Sequence, residues 1–344
     1  MHSERVLFMK NAFKITFAYL AAVIGAGFAS GSEAVFYFVR FGKISFFGIL
    51  LTSIGFGLFA YLTVEICRRS RAFCFPALAE SIMPRTAAIF MRIVLDLFMA
   101  TILAAMICAF AHTAEFIFGA PPRLAAAGFS ILCLLILYLP EEAIINQTSA
   151  LGIFIVVFIC AMCIYMINNR CTDVFSPLSR SIFSSVSYTS YNAASACPLL
   201  CSAAASVKTR RQSSYIGIIS GMFSFFALFL IWALISVYYG KIPLGELPML
   251  TLAARQGFLF CMLYAAVMTA SVFTTAAASA FGLLNSGFIK FAPKKLRPVI
   301  VITAGYFISS VGFSAIVSRL YNAAGICTLI LPVFLFLKIF DKQR

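Results

Sequence analysis

Charge is scarce in this 344-residue chain: Asp, Glu, Lys and Arg together make up 11% of it, less than half the roughly 25% of an ordinary soluble protein. Acids are scarcer than bases, 11 against 26. Histidine occurs only as His2 and His112. Two histidines cannot build a His-ligated metal site, and no H-E-x-x-H is present, which excludes an intramembrane metalloprotease. A serine hydrolase would have to use His112, and no G-x-S-x-G places a nucleophile. No linker is long or Pro/Ser-rich enough to set off a soluble domain. Neither an enzyme nor a cofactor is expected.

What fills the chain instead is apolar. Hydrophobic residues reach 62%, against roughly 45–50% in soluble proteins, and mean hydropathy is +1.02. No globule of this size hides that much apolar surface, so the chain is read as an integral membrane protein. The formal charge of +15 then reports topology rather than nucleic acid, because the bases lie between apolar stretches. Cys160 and Cys163 form a C-x-x-C inside an apolar run with no second pair, which reads as small buried residues.

A helix crossing hydrocarbon needs about 20 predominantly apolar residues. Ten such stretches occur, at about 12–39, 44–67, 87–118, 123–139, 146–168, 181–207, 213–239, 250–288, 298–317 and 320–339. The first is read as a span rather than a cleaved leader, because the apolar pattern resumes at Ala34. With the N-terminus inside, 18 Lys and Arg fall on the cytoplasmic side and 8 outside, so both termini are expected in the cytoplasm. Ten spans divide at about residue 175 into five plus five. An odd number per half gives inverted repeats, 11–170 and 178–340, within one transmembrane domain, 1–344. Sites in such proteins lie where corresponding helices are broken at the midplane.

Two candidate breaks stand in matching positions. Span one carries Gly25, Gly27 and Gly31 within seven residues, each lowering helix propensity by about 1 kcal/mol relative to Ala. Ser30 and Ser32 can cap a restarting helix, with Glu33 in its first turn. A Gly27-x-x-x-Gly31 helix-packing face is the other reading. In span six, eight of the nine side chains from Ser184 to Asn192 are polar and Pro198 follows. The coincidence favours paired broken helices, spans one and six. In span eight, Ser271, Thr274, Thr275 and Ser279 offer hydroxyls that suit a hard cation. Of the intramembrane acids, Glu33 and Asp96 are the candidates to carry a coupling proton; Asp96 has Arg92 one turn earlier, for which an intrahelical ion pair is the other reading, whereas Glu33 has only Tyr37 and Arg40 beyond it. His112 and Glu115 form a surface pair.

The segments Gly25-Ala26-Gly27-Phe28-Ala29-Ser30-Gly31-Ser32-Glu33, Tyr191-Asn192 with Pro198-Leu199, Phe273-Thr274-Thr275 with Phe281-Gly282, and Gly312-Phe313 with Leu320-Tyr321 and Gly325 resemble the YkvI-like bacterial membrane proteins. That family is placed in the amino acid–polyamine–organocation superfamily, whose members have the all-helical LeuT fold. The resemblance runs from about Ala12 to Leu337, with Ser32 where a basic residue and Asn322 where a proline would stand. It implies a substrate site between the two breaks, at Gly25, Ala26, Gly27, Phe28, Ser30, Gly31, Tyr191, Asn192 and Ser195. It also implies a sodium-like site at Ala22, Val23, Gly25, Ser271, Thr274 and Thr275. The expected function is a secondary active transporter in the bacterial cytoplasmic membrane. Its solute would be small and organic, an amino acid or related amine, coupled to Na+ or H+. The alternative is a membrane sensor subunit of the same fold that binds a ligand without flux.

Overall fold

In hydrocarbon every backbone N–H and C=O must pair within the protein, which leaves helices as the natural spanning element. The computed structural model describes residues 2–23, 25–139, 141–166, 178–285, 289 and 292–340, and every regular element among them is helical. In chain order these are α1 (His2–Val23), α2 (Ala26–Ser30), α3 (Ser32–Tyr37), a 3-10 segment (Val39–Ile44), α4 (Ser45–Ser70), α5 (Phe75–Ile82), α6 (Arg85–Phe118) and α7 (Pro122–Ile136). There follow α8 (Glu141–Met166), α9 (Leu178–Ala204), α10 (Arg210–Tyr238), α11 (Pro248–Ala254), α12 (Phe258–Asn285) and α13 (Arg297–Ser309). The last stretch is α14 (Phe313–Ala315), a π turn (Ile316–Leu320), α15 (Tyr321–Thr328) and α16 (Ile330–Phe340). The expected division at about residue 175 lies outside the described residues.

Among the described residues, five segments are long and apolar enough to cross a membrane: Val39–Ser70, Arg85–Phe118, Arg210–Tyr238, Phe258–Asn285 and Ile316–Phe340. Shorter apolar helices occupy Asn11–Val23, Pro122–Ile136, Phe154–Met166 and Arg297–Ser309. Large apolar side chains such as Phe47, Leu97, Leu124 and Phe183 face outward, as lipid-facing surfaces require. The protein is a multi-pass membrane protein.

Helix α1 packs against α8, α9 and α10, α4 against α9 and α10, and α6 against α12 and α13. α4 runs antiparallel to α10. Phe46 meets Phe225 and Phe229 at 6.2 Å between ring centroids, and at the other end Arg210 Nε donates to the Tyr61 hydroxyl at 3.2 Å. Beside that end Glu65 is wholly buried and accepts from Arg68 at 2.7 and 2.9 Å, Arg69 at 2.7 Å and Ser213 of α10 at 3.0 Å. A buried carboxylate is tolerated there because its lone pairs are filled.

One expectation fails. Span six is not broken: α9 is a continuous helix from Leu178 to Ala204 with Pro198 inside it. Four of its polar side chains bond back along their own helix, while Ser184, Ser187 and Ser190 reach Tyr37 O, Asn322 and Thr328 of neighbouring elements. Ser185 donates to Ser181 O and Thr189 to Ser185 O, both at 2.8 Å, Asn192 to Tyr188 O at 3.2 Å and Ser195 to Asn192 O at 2.8 Å. Backbone carbonyls thus satisfy groups that the sequence alone suggests need a cavity.

Candidate binding site

The break in the first helix is real. α1 ends at Val23, Gly25 is extended (φ −68°, ψ −162°), and the chain restarts at Ala26. Phe28 and Ala29 then donate to Gly25 O at 3.0 Å. The short α2 ends at Gly31, whose φ of +81° is a left-handed conformation open to glycine at little cost. Ser30 closes this turn, its Oγ donating to Gly27 O at 2.8 Å and accepting from Ser32 N at 3.2 Å. Phe28 is buried in the core. The hydroxyl of Tyr264 on α12 donates to Ala29 O at 2.5 Å, tying α2 to α12.

Beside the break lies a small cavity of about 20 Å³, room for about one water or a bare cation. Its wall includes Ala22, Gly25, Gly27, Glu33, Tyr191, Asn192, Ser195 and Thr275. Thr275 faces Gly25: a Cβ on that glycine would meet the Thr275 hydroxyl and stand 3.1 Å from its Cγ2. Glu33 folds back from α3 onto Gly27, where an added Cβ would overlap its carboxylate. The carboxylate is buried and interacts with the side chains of Tyr191, Tyr188 and Asn192. The hydroxyls of Thr275, Tyr191 and Tyr321 are buried without a partner at hydrogen-bonding geometry.

Other expected residues stand apart from this wall. Thr274 Oγ1 donates to Ser271 O at 2.9 Å, and neither it nor Ser271 lines the cavity among the described residues; Ser271 Oγ is buried without a partner. Val23 is buried in the core, and Ala26 contributes the first residue of α2. Arg40 does not reach Glu33; its guanidinium lies over the rings of Phe36 and Phe41 at 4.2 and 4.7 Å. Asp96 lines a separate cavity of about 190 Å³ with Met99, Pro198, Ser202, Gly282 and Asn285. Arg92 reaches Glu80 at 3.5 Å, and His112 lies 3.5 Å from Glu115 and 3.4 Å from Glu246. Among the described residues no His, Cys, Asp and Glu cluster could hold a metal ion.

Sequence reading missed Ile102, Met106, Ala278 and Tyr321, which complete the wall together with Ser279, one of the span-eight hydroxyls expected to suit a cation. Only the Leu320-Tyr321 motif pointed towards any of those missed. Tyr191 and Tyr321 meet at 5.3 Å with their rings tilted by 54° and both contact Phe98, at 5.5 and 5.3 Å, while Tyr37 and Tyr188 pack on Tyr191 at 5.6 Å.

Two larger cavities flank the small one. One of about 450 Å³ is lined by Ser32, Phe36, Arg40, Tyr239, Glu246 and Ser318, just past the C-terminal end of α10. The Asp96 cavity includes Phe73 and Cys74, just past the C-terminal end of α4. Because α4 and α10 are antiparallel, these cavities lie at opposite ends of the bundle. The Asp96 cavity and the central one are one helical turn apart on three helices: Met99 and Ile102, Pro198 and Ser195, Gly282 and Ser279. Three residues of rise is about 4.5 Å. The sulfur of Met99 fills that layer against Gly282.

No family model matches the chain. It is 26% identical over 339 residues to the uncharacterized membrane protein YkvI of Bacillus subtilis (strain 168), covering 93% of each chain. Among solved structures it superposes on a Na+-coupled sialic acid symporter in a substrate-bound outward-open state, with a TM-score of 0.66 and 14% identity over 96% of this chain and 79% of that one. MhsT in complex with L-phenylalanine gives 0.68 and 15% over 96% and 89%. A single-residue mutant of the Eremococcus coleocola manganese transporter gives 0.63 and 17% over 96% and 77%. The chain thus resembles YkvI over nearly its whole length, and its fold is that of the LeuT-type transporters.

Proposed function

We propose that the protein is a secondary active transporter of a small organic solute, an amino acid or related amine. Transport is coupled to Na+ or H+, and the solute binds beside the break between Val23 and Ala26. The observation that carries this reading is the cavity wall at that break. It holds extended backbone at Gly25, a buried carboxylate at Glu33 and an unpartnered hydroxyl at Thr275, between cavities at opposite ends of the bundle. Unpaired polar groups are costly at that depth, and a ligand or ion that completes them repays function rather than stability. With both termini cytoplasmic, the 450 Å³ cavity is the outer vestibule and the Asp96 cavity the inner one.

The central cavity is too small for a whole solute, so the walls part during the cycle. Residues 11–170 and 178–340 act as inverted halves of that cycle, and α9 contributes its face as an intact helix. Counterflow in proteoliposomes tests the reading. Vesicles preloaded with unlabelled amino acids or amines should accumulate the labelled compound, and a Gly27→Leu variant should not. Saturable binding with no accumulation for any compound would overturn transport in favour of a receptor.

A further inference from the structure

The wall around the central cavity is electronegative on one side and aromatic on the other. Among the described residues lining it, the sole carboxylic acid is Glu33 and none is Lys, Arg or His. The groups interacting with the Glu33 carboxylate are two phenols and an amide, from Tyr188, Tyr191 and Asn192. Arg40 is held over Phe36 and Phe41. Among the described residues no cation offsets this carboxylate. The rings of Tyr191 and Tyr321 line the cavity with it, and Tyr37, Tyr188 and Phe98 pack on those two rings with centroids 5.3–5.6 Å apart. Two buried hydroxyls, of Tyr321 and Thr275, remain without partners.

A carboxylate beside aromatic rings is the chemistry that recognises an organic ammonium group. The carboxylate supplies the counter-charge, and the ring quadrupoles attract the cation from the other sides. An α-amino acid brings a second carboxylate close to Glu33, and like charges at such range oppose each other. Arg40, held elsewhere by its aromatic pair, does not relieve that repulsion. The cavity of about 20 Å³ matches an ammonium head alone. The body of the ligand extends towards a vestibule once the walls separate.

We propose that the site selects an organic amine cation without a carboxylate, with Glu33 as the counter-ion and the rings of Tyr191 and Tyr321 as the selectivity surface. This rests on the transport reading for the ligand's passage but not for its binding. The test uses purified full-length protein and two matched trios, phenethylamine, phenylalanine and 3-phenylpropionate, then isobutylamine, valine and isovalerate. Thermal stabilisation gives the affinity of each, in KCl and with NaCl substituted at constant ionic strength. The amine of at least one trio should bind at least tenfold more tightly than its amino acid, and the acid should not bind. Glu33→Gln should weaken the amine at least tenfold. Tyr191→Phe, which keeps the ring, should retain binding that Tyr191→Leu loses.

Equal or tighter binding of the amino acid overturns the inference, as does amine binding unchanged in Glu33→Gln. A response to sodium alone, with none to either amine, also overturns it. Amino acid uptake that survives Glu33→Gln removes this inference and leaves transport standing. An amine bound through Glu33 but never accumulated removes transport and leaves the inference.

Discussion

A methyl group on Gly27 sets two opposing effects against each other. Gly27 lies inside the helical turn α2, so alanine there gains about 1 kcal/mol of helix propensity. The same methyl would overlap the Glu33 carboxylate and stand 2.7 Å from Glu33 Cγ. Overpacking of this kind costs about 1–3 kcal/mol. Gly27→Ala should therefore lower stability by at most about 2 kcal/mol, while forcing Glu33 out of the cavity and abolishing binding beyond the loss of folded protein. The distinguishing measurement is a double-mutant cycle with Glu33→Ala, read from unfolding of the purified variants in one detergent. With Glu33 truncated, nothing fills the space the methyl needs, so the second substitution should be neutral or stabilising. The coupling energy should reach about 1–3 kcal/mol, within the range for residues in contact. Additivity to within about 0.5 kcal/mol would refute the claim that Glu33 occupies the space beside Gly27. A loss of activity matching the loss of folded protein would restore the helix-packing reading of this glycine.

Other substitutions test neighbouring parts of the account. Gly31→Ala places a Cβ at φ +81° and within 2.8 Å of Met249 Cγ; it should cost more than the about 1–2 kcal/mol of left-handed strain alone, measured by chemical unfolding. Thr275→Val removes a buried hydroxyl that lacks a partner, so it should raise the stability of the ligand-free protein by about 1 kcal/mol while weakening any sodium response. Thr274→Val, whose hydroxyl bonds Ser271 O, should leave that response intact; the reverse order would place the ion on the other helix face. Met99→Ala empties the one-turn layer between the central and Asp96 cavities, and should raise the rate at which a thiol reagent from that end reaches a cysteine placed at Ser195. A reporter fused at Arg344 should score cytoplasmic; an external score would invert the assignment of the two vestibules.

The first break was legible because glycine spacing is a backbone signal: three glycines in seven residues weaken a helix wherever it packs. Span six misled for the opposite reason. Its polarity is a side-chain signal, and Ser185, Thr189, Asn192 and Ser195 satisfy themselves on their own carbonyls, which no composition count registers. The division of labour between Thr274 and Thr275 was also invisible. Adjacent helical residues point about 100° apart, and only the packed bundle fixes which one meets Gly25. Ile102, Met106 and Ala278 look like ordinary core in sequence; they become cavity wall because α6 and α12 bring them opposite α2. Glu33 stood out as an intramembrane acid, but its return onto Gly27 depends on the left-handed turn at Gly31.

Alternating access around the broken first helix is the central claim, and it is tested most directly by labelling from both ends. Single cysteines at Ser318, in the 450 Å³ cavity, and at Ser202, in the Asp96 cavity, are made with the native cysteines replaced. Each is titrated with an impermeant maleimide with and without sodium and the solute identified by counterflow. The account predicts reciprocal changes: conditions that protect one position expose the other, and Gly27→Leu abolishes the solute's effect on both. Labelling rates that rise or fall together, or that ignore sodium and solute alike, would contradict it.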